Sequence, residues 1–179
     1  MKKIMMTLAA VAVAATMNAQ VWAGGSLGFS TKHNNGAENN TKTFSIKPEV
    51  GYNLDDNFAV AIALGYEHET PATSASTNKW SINPYARYTF AKAGNFSAFL
   101  DGGLKYTTAH TQGAENNNNT FGIYVNPGIA YNLSDKVTLA AHFGDGLYYN
   151  HNWTKDVMRS NEFGLQLLNG VEFSAYYNF

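Results

Sequence analysis

The segment Thr43-Phe44-Ser45-Ile46-Lys47-Pro48-Glu49-Val50-Gly51-Tyr52-Asn53-Leu54 decides the fold. Its even positions are Phe, Ile, Pro, Val, Tyr and Leu, and the odd positions between them are Ser45, Lys47, Glu49, Gly51 and Asn53. A repeat of two puts all the apolar side chains on one face of an extended strand, whereas a helix would scatter them around its circumference. The same alternation runs through 58–66, where Phe, Val, Ile, Leu and Tyr alternate with Ala and Gly. It continues through 80–90, 96–106 and 121–133, and two further runs cover about 137–149 and 162–179. With Trp22–Ser30 as the first, eight strands are expected.

The connectors alternate too. Short turns fall at Asp55-Asp56-Asn57, around Ala91–Asn95 and at Ser134-Asp135-Lys136. Longer polar stretches fall at about 31–41, 69–78, 108–119 and 150–161. Along each apolar face the ends are aromatic and the middle aliphatic, as in Phe44 to Tyr52, Phe58 to Tyr66, Trp80 to Tyr88, Phe96 to Tyr106 and Phe121 to Tyr131. Rings at two heights with aliphatics between them are what a strand needs to cross a bilayer with its ends at the two headgroup layers. A soluble barrel turns its apolar face inward and has no reason to sort aromatics by height. The expected fold is therefore all-β: an eight-stranded antiparallel up-and-down transmembrane β-barrel, apolar outside and polar inside.

Composition agrees. The 179 residues are 45% hydrophobic but only 14% charged, well under the roughly 25% usual for soluble domains. Tyr and Phe number 11 each, Gly 16 and Asn 21. With no cysteine there is no disulfide, no thiolate metal site, no thiol nucleophile and no cysteine-linked lipid anchor. A net charge of -1 offers no basic patch for nucleic acid. Lys2 and Lys3, an apolar run from Ile4 to Met17 and the small Ala19 read as a secretory signal peptide over residues 1–19, leaving 20–179 as the barrel domain. Cleavage after Ala19 or after Ala23 would both suit. The mature chain then carries 10 basic residues against 13 acidic ones, and its expected location is a bacterial outer membrane.

An internal repeat stands out. His33-Asn34-Asn35-Gly36-Ala37-Glu38-Asn39-Asn40 compares with His110-Thr111-Gln112-Gly113-Ala114-Glu115-Asn116-Asn117, and Tyr52-Asn53-Leu54-Asp55-Asp56 with Tyr131-Asn132-Leu133-Ser134-Asp135. The barrel reads as a duplicated four-strand unit. Pro48, Pro84 and Pro127 each precede a girdle tyrosine by four residues and read as local bulges or bends, because proline cannot donate to a ladder.

Turned inward, the polar faces place Lys47, Glu49, Glu67, Arg87, Asp101, Lys105, His142 and Glu172 in the lumen. An eight-stranded barrel is just wide enough for its side chains to fill, so these nearly balanced charges read as a structural polar network of mutually paired groups. Arg87 and Asp101, near-diagonal across their hairpin, are the expected central pair. A thin ion or proton path through His142 and the acids is the sharper alternative. No catalytic residue, cofactor site or metal site is expected. His142 has Ala140 and Gly144 as same-face neighbours rather than serine, and Ser45, Ser81, Ser97 and Ser174 have no base nearby in sequence. The duplicated His33, Glu38, His110 and Glu115 would suit a divalent ion only if the two loops converged. Trp153 reads either as a loop contact or as a girdle ring.

Val171, Phe173, Ala175, Tyr177 and Phe179 make an alternating apolar face that ends on the last residue. This resembles the C-terminal assembly signal of bacterial outer-membrane proteins, carried here by Phe173, Tyr177 and Phe179. Across residues 20–179 the alternation, the rhythm of loops and turns and this ending resemble the small eight-stranded outer-membrane barrel family of the OmpA-transmembrane-domain and OmpX type. The resemblance implies outer-membrane lipid and the barrel assembly machinery as partners, a monomer, and an unknown surface ligand at the loops. It implies adhesion-like or envelope-stabilising roles, or a small passive channel, rather than enzymatic activity.

Overall fold

The computed structural model describes residues 20–32, 40–72, 75–144, 146–155, 157–167 and 171–179. The expected leader at 1–19 and most of the first loop, His33 and Glu38 included, lie outside the described residues. Ten strand segments follow: β1 (Val21–Lys32), β2 (Thr41–Asn53), β3 (Phe58–Thr70), β4 (Thr77–Ala93), β5 (Phe96–Thr111), β6 (Asn118–Asn132), β7 (Val137–Phe143), β8 (Gly146–Thr154), β9 (Met158–Gln166) and β10 (Val171–Asn178). β1 to β6 pair in chain order, all antiparallel. β6 then pairs with both β7 and β8, β8 pairs with β9, β7 with β10, and β10 with β1. Thus β7 with β8 and β9 with β10 form the seventh and eighth staves of one closed, eight-stranded antiparallel barrel. Closure leaves no sheet edge running the length of the apolar layer, where unpaired backbone groups are costly.

The two last staves differ from the unbroken strands expected there. Glycines at positive φ, Gly144 (64°) and Gly146 (57°), interrupt the seventh, and the pairing to β6 shifts across the interruption. A Cβ on Gly146 would lie 2.0 Å from the Val125 carbonyl oxygen, so this close crossing requires glycine. The third and fourth outer connections are also shorter than their polar composition suggests. β5 runs to Thr111 and β6 starts at Asn118, while β8 and β9 are separated only by residues 155–157. Polar composition marks a strand above the membrane as readily as a loop, and ladder bonds to neighbours decide between them.

At the other end, where Gln20 and Phe179 lie, the turns are built by local chemistry. The Asp55 carboxylate accepts from the Asn57 and Phe58 amides at 2.7 and 2.8 Å, and the Ser134 hydroxyl from those of Lys136 and Val137. Phe179 donates its amide to the Val21 carbonyl at 3.0 Å, tying the last residue to the first stave.

The prolines correct another expectation. Each is paired with the preceding strand: Pro48 with Gly25, Pro84 with Ile62, Pro127 with Leu100. Toward the following strand the pairing lapses for two residues, at Lys47–Pro48, at Asn83–Pro84 and at Asn126–Pro127. In an antiparallel ladder a residue aims both backbone groups at the same neighbour, so a missing N–H breaks one exchanged pair and no more. Register is unchanged across Pro48 and Pro84, so neither is a bulge; a shift occurs only opposite Pro127.

Exposure alternates as the sequence does. Side chains of Phe44, Ile62, Leu64, Trp80, Tyr88, Ile123 and Leu147 stand exposed on the outer wall, while Trp22, Ala63, Tyr85, Phe99, Ala140 and Tyr176 form the buried core inside it.

Candidate functional site

Among the described residues, buried charge gathers in the lumen. Arg87 on β4 lies directly opposite Asp101 on β5, not diagonally. The guanidinium donates from Nε and Nη2 to the two Asp101 oxygens at 2.7 and 2.8 Å. This bidentate pair is buried, with side-chain exposures of 12% and 5%. The Phe99 ring lies 4.0 Å from the Arg87 Cζ, and the rings of Tyr176, Trp22 and Tyr85 stand at 5.4–5.7 Å. A weakly hydrated, planar cation suits such an aromatic surround, where lysine would not.

From this pair a polar chain crosses the barrel. Asp101 Oδ2 approaches His142 Nδ1 at 3.4 Å, and His142 Nε2 meets the Tyr176 hydroxyl at 3.2 Å. Tyr176 and Tyr85 both donate to Glu49 Oε2, at 3.3 and 2.6 Å. Lys47 sits 3.7 Å from the other Glu49 oxygen and pairs with Glu172, which accepts from Ser26 at 3.0 Å. Six staves contribute, so the chain ties β4, β5, β7, β10, β2 and β1 together across the lumen. A second cluster lies nearer the outer mouth, where Lys79 binds Glu67 at 2.7 Å and Glu69 at 3.3 Å. Those groups are each about one-third exposed, which makes them a weaker tie.

Two cavities flank the central chain. One of about 450 Å³ at the terminal end is lined by Trp22, Arg87, Phe99 and Tyr176 among others. The other, of about 530 Å³, opens toward the outer end and is lined by Lys47, Glu67, Lys79, Lys105, His142 and Glu172. Lys105 lines this space, with no ion pair to a carboxylate among the described residues. The eight residues expected in the lumen thus divide three ways. Lys47, Glu49, Arg87, Asp101, His142 and Glu172 join the central chain, Glu67 joins the outer cluster, and Lys105 joins neither.

Sequence reading passed over Glu69, within the stretch 69–78 that looked like loop, Lys79 just after it, and Ser26 and the rings Trp22, Tyr85, Phe99 and Tyr176. The signal for the rings was available: Tyr85 and Phe99 sit on the polar phase of their strands, where an aromatic must fill the interior. Of the duplicated loop residues, His110 pairs with Asn117 at 2.9 Å, and no metal-holding cluster occurs among the described residues. Trp153 lies on β8, stacked on His151 with ring centroids 5.6 Å apart.

Comparison with known proteins follows the same line. The family model described as outer membrane protein beta-barrel domain matches residues 4–177. No curated protein matches the chain. Among solved structures it is similar to Neisserial surface protein A, with 20% identity, coverage of 89% of this chain and 95% of that one, and a TM-score of 0.48. It is similar to the N-terminal β-barrel domain of Pseudomonas aeruginosa OprF, with 14% identity, 89% and 98% coverage and a TM-score of 0.47. The Yersinia pestis outer membrane protein Ail gives 10% identity, 89% and 98% coverage and a TM-score of 0.48. A closed eight-stranded barrel, apolar outside and charged within, matched over nearly its whole length, places the chain in the outer membrane protein beta-barrel domain family.

Proposed function

We propose that the protein is a non-conducting, non-enzymatic barrel that serves the outer membrane through its extracellular surface or as an envelope component, its lumen being a structural plug. The observation that carries this reading is the Arg87–Asp101–His142–Tyr176–Glu49–Lys47–Glu172 chain, which lies between two cavities and binds the staves to one another. A pore needs a continuous hydrated path, and here paired charges and four buried rings occupy the middle. Catalysis is disfavoured by the same arrangement, because both His142 nitrogens are engaged with buried groups and none of these is an accessible nucleophile. On this reading residues 1–19 direct export and are cleaved. Phe173, Tyr177 and Phe179 present the last stave to the assembly machinery, the barrel works as a monomer, and the outer hairpins meet a surface ligand.

A second reading, a small passive channel, draws on the fact that His142 lines the outer cavity and Tyr176 the inner one, so the chain touches both. Conductance of the purified barrel in planar bilayers separates the two. Silence for the natural protein, with steady steps in an Arg87→Ala/Asp101→Ala variant, supports the plug. Steady steps in the natural protein sink it. Removal of the Gln112–Asn117 turn, followed by whole-cell binding assays, tests the role of the surface.

A further inference from the structure

The seam between the first and last staves is paired only in its inner half. β1 meets β10 from Trp22–Asn178 to Ser26–Ser174 and no further. Among the described residues, Leu27–Lys32 pair with β2 alone, and β9 pairs with β8 alone. The other seams stay paired past the outer aromatic girdle. Leu27 lies opposite Ile46 and Phe29 opposite the girdle ring Phe44, so the ladder to β10 ends inside the outer half of the apolar layer. Side chains on the outer wall record the gap. Leu27, Phe29 and Phe173 are 72–74% exposed, against 37–53% for Ile62, Leu64, Ile82, Leu100 and Leu104 on continuous staves.

The parting begins beside a glycine. Gly25 takes a φ of 146°, a conformation that L side chains rarely adopt, and a Cβ on it would lie 2.2 Å from the Lys47 carbonyl oxygen. One residue later the pairing with β10 stops, while that with β2 runs on to Lys32. Glycine at this position lets β1 lie tightly against β2 where it leaves β10.

The outer cavity, of about 530 Å³, reaches this gap and has the size of a small-molecule site. Ser26, Glu172 and Val171 line it on the seam side, Val171 from the lipid-facing phase of its strand, and Lys79 and Lys105 line it across the lumen. Its cations are unequally matched. Lys47 is bound to Glu49 and Glu172, and Lys79 to Glu67 and Glu69, whereas Lys105 has no carboxylate partner among the described residues.

We propose that the gap is a lateral portal at which the outer cavity takes a single-chain anionic amphiphile, a long-chain carboxylate, from the outer leaflet. Its carboxylate faces Lys105, and its chain lies between Leu27–Phe29 and Val171–Phe173. Charge and depth select this occupant. The one unmatched ammonium of the cavity favours an anion. The polar lining gives an acyl chain no place within the lumen, whereas apolar side chains border the gap on both sides. A break in the wall at this depth also sets hydrocarbon against lumen water, and one chain with its head turned inward covers it. This goes beyond the plug reading, which concerns the paired groups beneath the cavity.

The test uses the full barrel refolded into phosphatidylcholine vesicles, with a palmitate analogue carrying a diazirine in mid-chain. The medium is alkaline enough to ionise its carboxylate. Light fixes the probe to whatever its chain touches, and mass spectrometry locates the label. Label should concentrate on Leu27–Phe29 and Val171–Phe173 over Ile82 and Leu104, which are also lipid-facing but lie on other staves. Lys105→Gln should cut the seam label about threefold, the worth of one solvent-reachable ion pair, and leave that at Ile82 and Leu104 unchanged. The fatty alcohol with the same chain and diazirine should show no preference for the seam. Each sample is checked for the heat-shifted gel position of the folded barrel. Even labelling around the wall overturns the proposal, because the gap is then ordinary lipid-facing surface. Seam label that survives Lys105→Gln in full, or that the alcohol matches, overturns it too, since any apolar chain would then fill the gap. Conductance tests the plug separately, so failure of either reading is told from failure of the other.

Discussion

Asp101→Ala isolates what the central pair is worth. The substitution removes both oxygens that hold Arg87, one of which, Oδ2, also faces His142, leaving a guanidinium among four aromatic rings. Removing one partner of a buried ion pair costs about 3–5 kcal/mol, because the other charge stays desolvated and unpaired. Two charge-assisted hydrogen bonds, at about 1.5–3 kcal/mol each, bound the same loss independently. Arg87 also lines the inner cavity, so water can reach part of the guanidinium and the lower end, about 3 kcal/mol, is expected. Urea unfolding of the refolded barrel in vesicles, followed by tryptophan emission and by heat-shifted gel mobility, measures it. Removing both charges in Arg87→Met/Asp101→Leu leaves no unpaired buried charge and should return stability to within about 1 kcal/mol of the natural protein. The coupling in the double-mutant cycle should then be at least about 2 kcal/mol. A loss under about 1 kcal/mol for Asp101→Ala, or a double variant as weak as the sum of the singles, would refute the reasoning.

Two further predictions rest on contrasts within the structure. Lys79→Ala breaks an ion pair whose members are more than one-third exposed, so it should cost no more than about 1 kcal/mol in the same unfolding experiment, and less in high salt. Gly128→Ala should cost about 1–3 kcal/mol, because its Cβ would meet the Phe99 ring at 2.3 Å and Phe99 is 1% exposed. Gly102→Ala, with nothing nearer than 3.9 Å, is the control and should leave stability within about 0.5 kcal/mol; equal losses at the two sites would contradict the packing described.

The barrel was legible because lipid imposes a repeat of two on every stave. The apolar phase from Phe44 to Tyr52 needs no tertiary information to be assigned to the outer wall. The lumen set was legible for the complementary reason: Arg87, Asp101 and Glu49 fall on the opposite phase, and charge on that phase has nowhere else to go. Exposed polar segments were harder. Thr108–Thr111 and Asn118–Asn119 look like loop, but above the apolar layer both strand faces meet water, so alternation no longer distinguishes strand from coil. The glycines at 144 and 146 did not announce a break in the seventh stave either, since glycine is common throughout these strands.

The chain alone determined fold class, which face meets lipid and which residues enter the lumen, because those follow from solvent on each side of a two-residue repeat. Only the closed barrel decided partners. It set Arg87 against Asp101 and placed the Tyr176 hydroxyl between His142 and Glu49. It aimed the gaps at Pro48 and Pro84 toward the following strand without a bulge, and it matched each of three outer histidines to an asparagine. Those outcomes depend on register and on which staves meet across the lumen. A period of two fixes the face on which a side chain stands, but it carries no information about which residue stands opposite.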